Sequence, residues 1–199
     1  MTSKYIELFK DYPKVAKYVS IYHPDCQGPM DCVELLYGSQ LFLDIVEYPD
    51  LITALLQLVT ETYIEFMSKW MQLVPASGPY TVHFGMMMRG NIMLRDDSAM
   101  NFSPQMYTEF IRPYDQKILK SLNGGCVHFC GRGDHYIAKM SEMSDFYAIN
   151  LSQPECNDME IIFRNTVDKG IKILGLEPSA ANRAFEQGVT LKQNVQCFV

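Results

Sequence analysis

The second half of the chain alternates short apolar runs with amphipathic segments, and this alternation most limits the folds available to it. Apolar runs at 124–131, 146–152, 171–177 and 194–199 are separated by segments of helical spacing at 134–143, 158–169 and 179–187. Strands and helices that alternate in this way usually form a parallel sheet with right-handed crossovers. The runs show little polar alternation, which is typical of strands covered on both faces. The pattern therefore predicts an α/β fold.

The first half of the chain is richer in helical patterns. A wide apolar stripe predicts a helix over 50–74. Further helices are predicted at 39–47 and at 103–122, the latter kinked at Pro113, with strands at 18–22 and within 80–95. We find no internal repeat or linker, so residues 1–199 are predicted to form a single domain.

The predicted strands number about six, fewer than a closed eight-stranded barrel requires. A parallel sheet with open edges is exposed to unwanted pairing. Three arrangements are therefore open: a fragment of a barrel, a barrel completed by another copy of the chain, and an open α/β sheet.

Composition and charge exclude several classes of partner. The chain has 199 residues, of which 48% are hydrophobic and 20% charged, which is a globular composition. Its net charge of −6 is opposite to the basic surface that nucleic-acid binding requires. No apolar stretch is long enough to span a membrane, and the charged N-terminus lacks the apolar part of a secretory signal. We expect a cytoplasmic protein whose six cysteines are buried or metal-bound.

The strongest chemical signal is the run Cys-Val-His-Phe-Cys-Gly at 126–131. Alternate strand residues share a face, so Cys126, His128 and Cys130 should point the same way. His128 and Cys130 fall at the carboxyl end of the strand, where parallel α/β proteins place their sites. Imidazole and thiolate suit zinc, and an open coordination position would let zinc activate a thiol. The alternative is a buried histidine and cysteine of the core.

Two ligands do not complete a zinc site, so a third group must come from elsewhere in the chain. The candidates, each near the end of a later predicted strand, are Cys197, Cys156 and Glu177. Asp96 and Asp97, which follow Arg95 at the end of another strand, are a second candidate site. Paired carboxylates there could act as acid and base, bind a cation or complete a metal site. The alternative is a solvated loop.

Two further segments could line a pocket. Met87 could form an apolar wall, and Arg89 could receive a carboxylate or phosphate, although a packed core with a surface arginine fits equally well. Gly131 and Arg132 follow the metal candidate, where glycine permits close approach and a helix start attracts anions. His135 could serve as an acid or base, the alternative being an exposed loop histidine.

Four segments in this order resemble the uroporphyrinogen decarboxylase superfamily. They are GPMD at 28–31, FSPQMYTEFIRPYDQKIL at 102–119, VHFCG at 127–131 and INLSQPE at 149–155. The resemblance extends from about Cys26 to Pro178. It implies a (β/α)8 TIM-type barrel that is incomplete here, with the N-terminal strands lying outside this sequence.

Within that superfamily, the His-x-Cys pair resembles the branch of zinc-dependent methyltransferases linked to cobalamin. The resemblance implies zinc held by His128, Cys130 and Cys197, a small thiol substrate, and a corrinoid partner protein that delivers the methyl group. Asp96, Asp97 and His135 would then be catalytic. The alternatives are a metal-free (uro)porphyrinogen decarboxylase-type lyase and a barrel remnant without catalytic activity. A homo-oligomer could complete the barrel.

Overall fold

The computed structural model describes residues 2–76 and 78–198. Its helices are α1 (Thr2–Asp11), α2 (Pro13–Ala16), α3 (Pro29–Tyr37), α4 (Leu41–Glu47), α5 (Pro49–Leu73), α6 (Pro104–Met106), α7 (Arg112–Ser121), α8 (Ile137–Met140), α9 (Met159–Asn165) and α10 (Pro178–Glu186). Its strands are β1 (Tyr80–His83), β2 (Met86–Arg89), β3 (Ile92–Arg95), β4 (Gly125–Phe129), β5 (Phe146–Leu151), β6 (Lys172–Leu176) and β7 (Val195–Cys197). None of the described helices is both long and apolar enough to cross a membrane.

Five strands form one parallel sheet in the order β3-β4-β5-β6-β7, and helices connect and flank them. The predicted α/β class is therefore confirmed. In the described part of the chain, β3 and β7 are the two edges of this sheet. A closed eight-stranded barrel is not shown.

β1 and β2 form an antiparallel hairpin that covers one face of the sheet. The strand predicted within 80–95 is confirmed as β3, which ends at Arg95, and the same segment also contains β1 and β2. Phe84 and Gly85 connect β1 to β2 with φ values of 47° and 76°, the backbone of a tight two-residue turn. The small buried cluster under the hairpin consists of Met86, Met88, Met93, Cys126, Ala148 and Leu174.

The opposite face of the sheet packs against the helices and forms the main core. Strand alternation sends Leu94, Val127 and Ile149 to this side, where they join Leu56 and Met67 of α5. All five side chains are almost completely removed from solvent. Burying a side chain of this size stabilises the fold by roughly 1.5–3 kcal/mol, so this helix side supplies most of the apolar burial.

The strand predicted at 18–22 is absent from the structure, and a different segment covers the edge of β3. His23 donates from Nδ1 to Pro24 O at 2.7 Å and accepts from the Met93 N–H at its Nε2, 3.0 Å away. Gly28 donates its N–H to Arg95 O at 2.7 Å. A Cβ at Gly28 would lie 2.8 Å from the same oxygen. The His23 side chain and the Gly28 N–H therefore make hydrogen bonds to the backbone of β3, and no strand at 18–22 is needed to cover that edge.

The helix predicted at 103–122 exists, but it is interrupted. Ser103 caps it by accepting from the Met106 N–H at 3.2 Å. A π-helical turn spans Tyr107–Ile111, directly before Pro113 in α7. Proline lacks an N–H and crowds the preceding turn, and a wider turn relieves both problems. The kink predicted at Pro113 thus corresponds to a local widening of the helix.

Asp96, just after β3, and Asp115, on α7, are carboxylic acids buried on the helix side, 1% and 0% exposed. Burial raises the pKa of both, to about 7 for Asp115. The charge of Asp115 raises the pKa of Asp96 further. Neither carboxyl has a hydrogen-bond partner among the described residues, so the two acids influence each other's titration through their charges.

Replacing Asp115 with asparagine should flatten the dependence of stability on pH. Because the pKa of Asp115 is higher in the folded protein than in the unfolded chain, protonated Asp115 adds to the free energy of unfolding. This contribution is fully present below the pKa of the unfolded chain and is lost as the pH rises through the pKa of the folded protein. For Asp115 this window runs from 3.8 to about 7. Within this window, the free energy of unfolding should fall less steeply with rising pH in Asp115→Asn than in the wild type, by up to about 1.4 kcal/mol per pH unit.

Urea unfolding at several pH values inside and above this window measures the slope. Asp11→Asn is the matched control, because Asp11 is exposed on α1 and forms no ion pair with any described residue. Equal slopes for the wild type and Asp115→Asn would contradict the prediction.

Candidate metal centre

Side chains from three neighbouring strands line up at the carboxyl end of the sheet. The register places Arg95 of β3 beside His128 of β4, and His128 beside Asn150 of β5. Two positions earlier on the same strands, Met93, Cys126 and Ala148 pack under the hairpin. Because alternate residues share a face, all three side chains point to the hairpin side.

Asp97, His128 and Cys130 bring their potential ligand atoms within 4.8 Å of one another. His128 Nε2 lies 3.3 Å from Asp97 Oδ1 and 3.4 Å from Cys130 Sγ. Donor atoms at two corners of a tetrahedral zinc site lie roughly 3.3–3.8 Å apart when the zinc distances are ordinary. Both distances from His128 therefore fit a single zinc ion, with Asp97 as the third ligand.

Asn150 fixes the orientation of His128. Its Nδ2 donates to Leu174 O at 2.6 Å, which leaves Oδ1 facing His128 Nδ1, also at 2.6 Å. Since Oδ1 can only accept, Nδ1 carries the hydrogen. Nε2 is then the atom presented to Asp97 and Cys130, and metal-binding histidines are commonly oriented by such a hydrogen bond.

Asp31, in the first turn of α3, holds the loop that carries Asp97. Its carboxylate accepts from the N–H of Asp97 at 2.8 Å, from the N–H of Ser98 at 2.9 Å and from the Ser98 hydroxyl. Asp97 Oδ1 in turn accepts from the Cys130 N–H at 3.1 Å. The protein itself therefore ties the carboxylate of Asp97 to the residue that carries the thiol.

The negative charge of this group would be compensated by a bound cation. The neighbouring His128 lowers the pKa of Asp97, so this group is a carboxylate. Burial raises the pKa of the Cys130 thiol, and the adjacent Asp97 raises it too. A thiolate beside a carboxylate needs compensating positive charge, which a divalent metal ion would supply.

Arg95 borders the group and is paired with Asp25. Its Nη1 lies 3.2 and 3.0 Å from the two Asp25 carboxylate oxygens, and its Nη2 lies 3.3 Å from His128 Nε2. A guanidinium can only donate, so Nη2 uses the lone pair of His128 that a metal would need. A bound metal would therefore require Arg95 to give up this contact.

The group also resembles the Cys-His-Asn arrangement of nucleophilic enzymes, but it lacks the donors that such chemistry needs. A cysteine nucleophile works with free N–H groups that stabilise an oxyanion. Here the Cys130 N–H donates to Asp97, and the Gly131 N–H donates to Gln153 Oε1. With these donors occupied and the pKa of the thiol raised, the geometry favours metal binding over nucleophilic attack by Cys130.

The structure separates Asp96 and Cys197 from the group, contrary to the sequence prediction. Asp96 follows Arg95 directly, so strand alternation turns it to the helix side, where it meets Asp115. Cys197 lies on β7, with β5 and β6 between it and β4, a separation of roughly 14 Å at ordinary strand spacing. It packs against the helix-side core. Asp97 therefore replaces Cys197 as the candidate third ligand.

The other third-ligand candidates also lie outside the group. Cys156 is exposed in a short 3-10 turn after β5. Glu177 is exposed before α10 and accepts from the Ser179 hydroxyl at 3.2 Å. Among the described residues, the one metal-type cluster of histidine, cysteine and acidic side chains is the group of Asp97, His128 and Cys130.

Three predicted residues lie in the loop after β4. Gly131, with φ of 69°, follows Cys130 directly. The side chain of Arg132 is 63% exposed and pairs with Asp134 at 2.7 Å. His135 Nε2 lies 3.0 Å from Phe102 O and therefore donates to it, which gives His135 a structural contact outside the metal group.

Met87 and Arg89 lie on β2, away from the metal group. Met87 faces outward from the hairpin and is 60% exposed. The Arg89 guanidinium stacks over the ring of Tyr147, 4.3 Å from its centroid. Tyr147 is at the start of β5, so Arg89 is at the amino end of the sheet, opposite to Asn150.

The residues that position the candidate ligands were not predicted from the sequence. Asp31 and Asn150 lie inside the GPMD and INLSQPE segments, so the resemblance contained them without indicating a role. Strand alternation within FYAINLS would have put Asn150 on the same face as Ala148, and parallel pairing would have put it near His128. No local signal pointed to the Arg95–Asp25 pair, because it joins residues far apart in sequence.

A comparison with protein-family models found no match, and a search of curated proteins found none either. Any inference about function therefore depends on the geometry of the site and on the resemblance of the four motifs.

We predict that His128 and His135 show opposite neutral tautomers in the metal-free protein. Asn150 requires hydrogen on Nδ1 of His128, whereas Phe102 O requires it on Nε2 of His135. Nitrogen-15 NMR of the imidazoles distinguishes the two forms. In Asn150→Ala, the His128 signals should shift toward a mixture of tautomers while those of His135 stay unchanged. An unaltered His128 spectrum would contradict the role assigned to Asn150.

Proposed function

We propose that this protein is a zinc-dependent enzyme that transfers a methyl group from a corrinoid to a thiol acceptor. The zinc part is carried by one observation, the convergence of Asp97, His128 and Cys130 at the carboxyl end of the sheet. Carboxylate, imidazole and thiolate are all ordinary zinc ligands. Three protein ligands leave a fourth position for substrate, as is usual for catalytic zinc.

The protein's own residues hold this centre in shape. Asn150 keeps Nε2 of His128 turned toward the other ligands, and Asp31 keeps the Asp97 loop against Cys130. When bound, zinc supplies Lewis acidity that lowers the pKa of a thiol substrate. Arg95 and Asp25 border the position from which such a substrate would approach.

Methyl transfer and the corrinoid donor are supported by the motif resemblance. The five strands in sequential order are compatible with part of a (β/α)8 barrel, whose sites lie at the carboxyl ends of its strands. We therefore include in the proposal an incomplete barrel of the uroporphyrinogen decarboxylase type. A corrinoid protein is the proposed partner, and a second copy of the chain could complete the barrel.

Zinc analysis of protein purified without an affinity tag or added metal tests the centre. We expect about one zinc ion per chain, lost in Asp97→Asn and in a His128→Ala/Cys130→Ser double variant. Cys197→Ser should keep the metal, because Cys197 lies outside the group. Cys156→Ser controls for the loss of an exposed cysteine. Zinc retained in Asp97→Asn but lost in Cys197→Ser would contradict the ligand set read from the structure.

Methyl transfer is tested with methylcobalamin and a series of small thiols. The zinc-loaded wild type should consume methylcobalamin in a thiol-dependent manner. His128→Ala should be slower by about two orders of magnitude or more, since it removes a ligand rather than an outer contact. Cys156→Ser should match the wild type. Stoichiometric zinc without any methyl transfer would contradict the activity while leaving the metal centre intact.

A metal-free lyase is a second candidate, favoured by the contact between Arg95 and His128. In the absence of metal, this guanidinium lies 3.3 Å from Nε2 and could hold a substrate carboxylate at the same place. Turnover of a porphyrinogen by chelator-treated protein, abolished in Arg95→Lys, would support this candidate against the zinc enzyme.

A further inference from the structure

A cavity of about 580 Å³ lies at the amino end of the sheet, between the outer side of the hairpin and the starts of β5, β6 and β7. The metal group is at the carboxyl end, so the two sites use opposite ends of the same strands. Binding sites for small molecules usually measure about 300–1,000 Å³. The cavity is therefore large enough for a ligand of its own.

The charge in this cavity has a single sign. Arg89, Lys169 and Lys172 line it, and none of its described lining residues is acidic. The chain as a whole carries a net charge of −6. Of the acids next in sequence, Asp145 accepts from the hydroxyl of the lining residue Tyr147 at 3.3 Å, and Asp168 pairs with Lys192. A concentration of basic groups on an acidic protein marks an anion-binding surface.

None of the three cations is neutralised by a described residue. Lys169 donates to the Ser141 hydroxyl at 2.8 Å, and Lys172 donates to Asn194 Oδ1 at 3.2 Å. The side chain of Arg89 makes no hydrogen bond or ion pair within the described ranges, and its Cζ lies over the Tyr147 ring, 4.3 Å from the centroid. An oriented guanidinium with unused N–H groups is suited to a carboxylate, sulfate or phosphate.

The remaining walls are apolar or aromatic. Tyr80 and Met87 are more than half exposed, and Phe146 and Tyr147 lie behind them. Gln196 also lines the cavity, and its Oε1 is buried without a described partner. Aromatic faces and a methionine favour a ligand with a flat apolar body, and the unsatisfied amide offers it a polar contact.

We propose that this cavity binds a small amphipathic anion, in which an aromatic or apolar body carries a carboxylate, sulfate or phosphate. The anionic group contacts Arg89, with Lys169 and Lys172 at the rim. The apolar body packs against Tyr80 and Met87. This site goes beyond the proposed methyl transfer and does not depend on it, because it shares no residue with the metal group.

The test uses the full chain and the fluorescent probe anilinonaphthalene sulfonate, which joins an aromatic body to an anion. We expect saturable binding that weakens with added salt. Arg89→Ala should weaken it by about tenfold or more, as expected for the loss of a charge-assisted contact. Arg164→Ala is the matched control, since Arg164 is exposed on α9 and pairs with Glu160. Circular dichroism and thermal unfolding confirm that each variant is folded.

Two further probes separate charge from apolar contact. The uncharged analogue phenylnaphthylamine should bind more weakly and with equal affinity to the wild type and Arg89→Ala. Inorganic phosphate at the same concentration should not displace the sulfonate, because it lacks the apolar body. Unchanged sulfonate affinity in Arg89→Ala, an equal loss in Arg164→Ala, or full displacement by phosphate would overturn the proposal.

Discussion

The register of β3, β4 and β5 is the constraint on which the candidate site depends. It sets Arg95, His128 and Asn150 in one row at a spacing of about 4.8 Å. A slip of one residue in either pairing would turn a side chain to the other face. The apolar residues two positions earlier, packed under the hairpin, oppose such a slip. The hydrogen bond from Asn150 to Leu174 O extends the same row to β6, so packing of the sheet and orientation of the imidazole are linked.

Adjacent residues after β3 show how strongly a change of face alters the chemistry of a carboxyl group. Asp96 is turned into the helix side, and burial beside Asp115 raises its pKa. Asp97, one residue later, meets His128 and the Cys130 N–H, and its pKa is lowered. The same side chain thus has a raised pKa in one position and a lowered pKa in the next. Only the second is suited to hold a cation, so the paired aspartates offer one candidate ligand rather than two.

The sequence predicted features that depend on local spacing and failed where distant elements meet. The alternation in Cys126, His128 and Cys130 was sufficient to put the imidazole and thiolate on one face of a strand. Choosing Asp97 over Cys197 as the third candidate ligand required the order of strands and the face on which β7 presents its side chain, neither of which a single strand encodes. The hairpin escaped prediction because its strands are four residues long and its methionine run has no polar alternation. Its turn depends on positive φ at Phe84, which sequence does not favour.

The hairpin also explains how one short strand serves two environments. Met86 and Met88 face the sheet and pack beside Asn150, whose Nδ2 lies 3.5 Å from Met86 Sδ, whereas Met87 and Arg89 face outward. The inward residues therefore contribute to the support of His128, and the outward residues contribute to the basic cavity at the other end of the sheet. Met88 and Leu174 also line the cavity, and Leu174 O accepts from Asn150, so the cavity and the support of His128 have a residue in common. Substitutions at Met87 or Arg89 should therefore alter the cavity with less effect on His128 than substitutions at Leu174, because their side chains face outward.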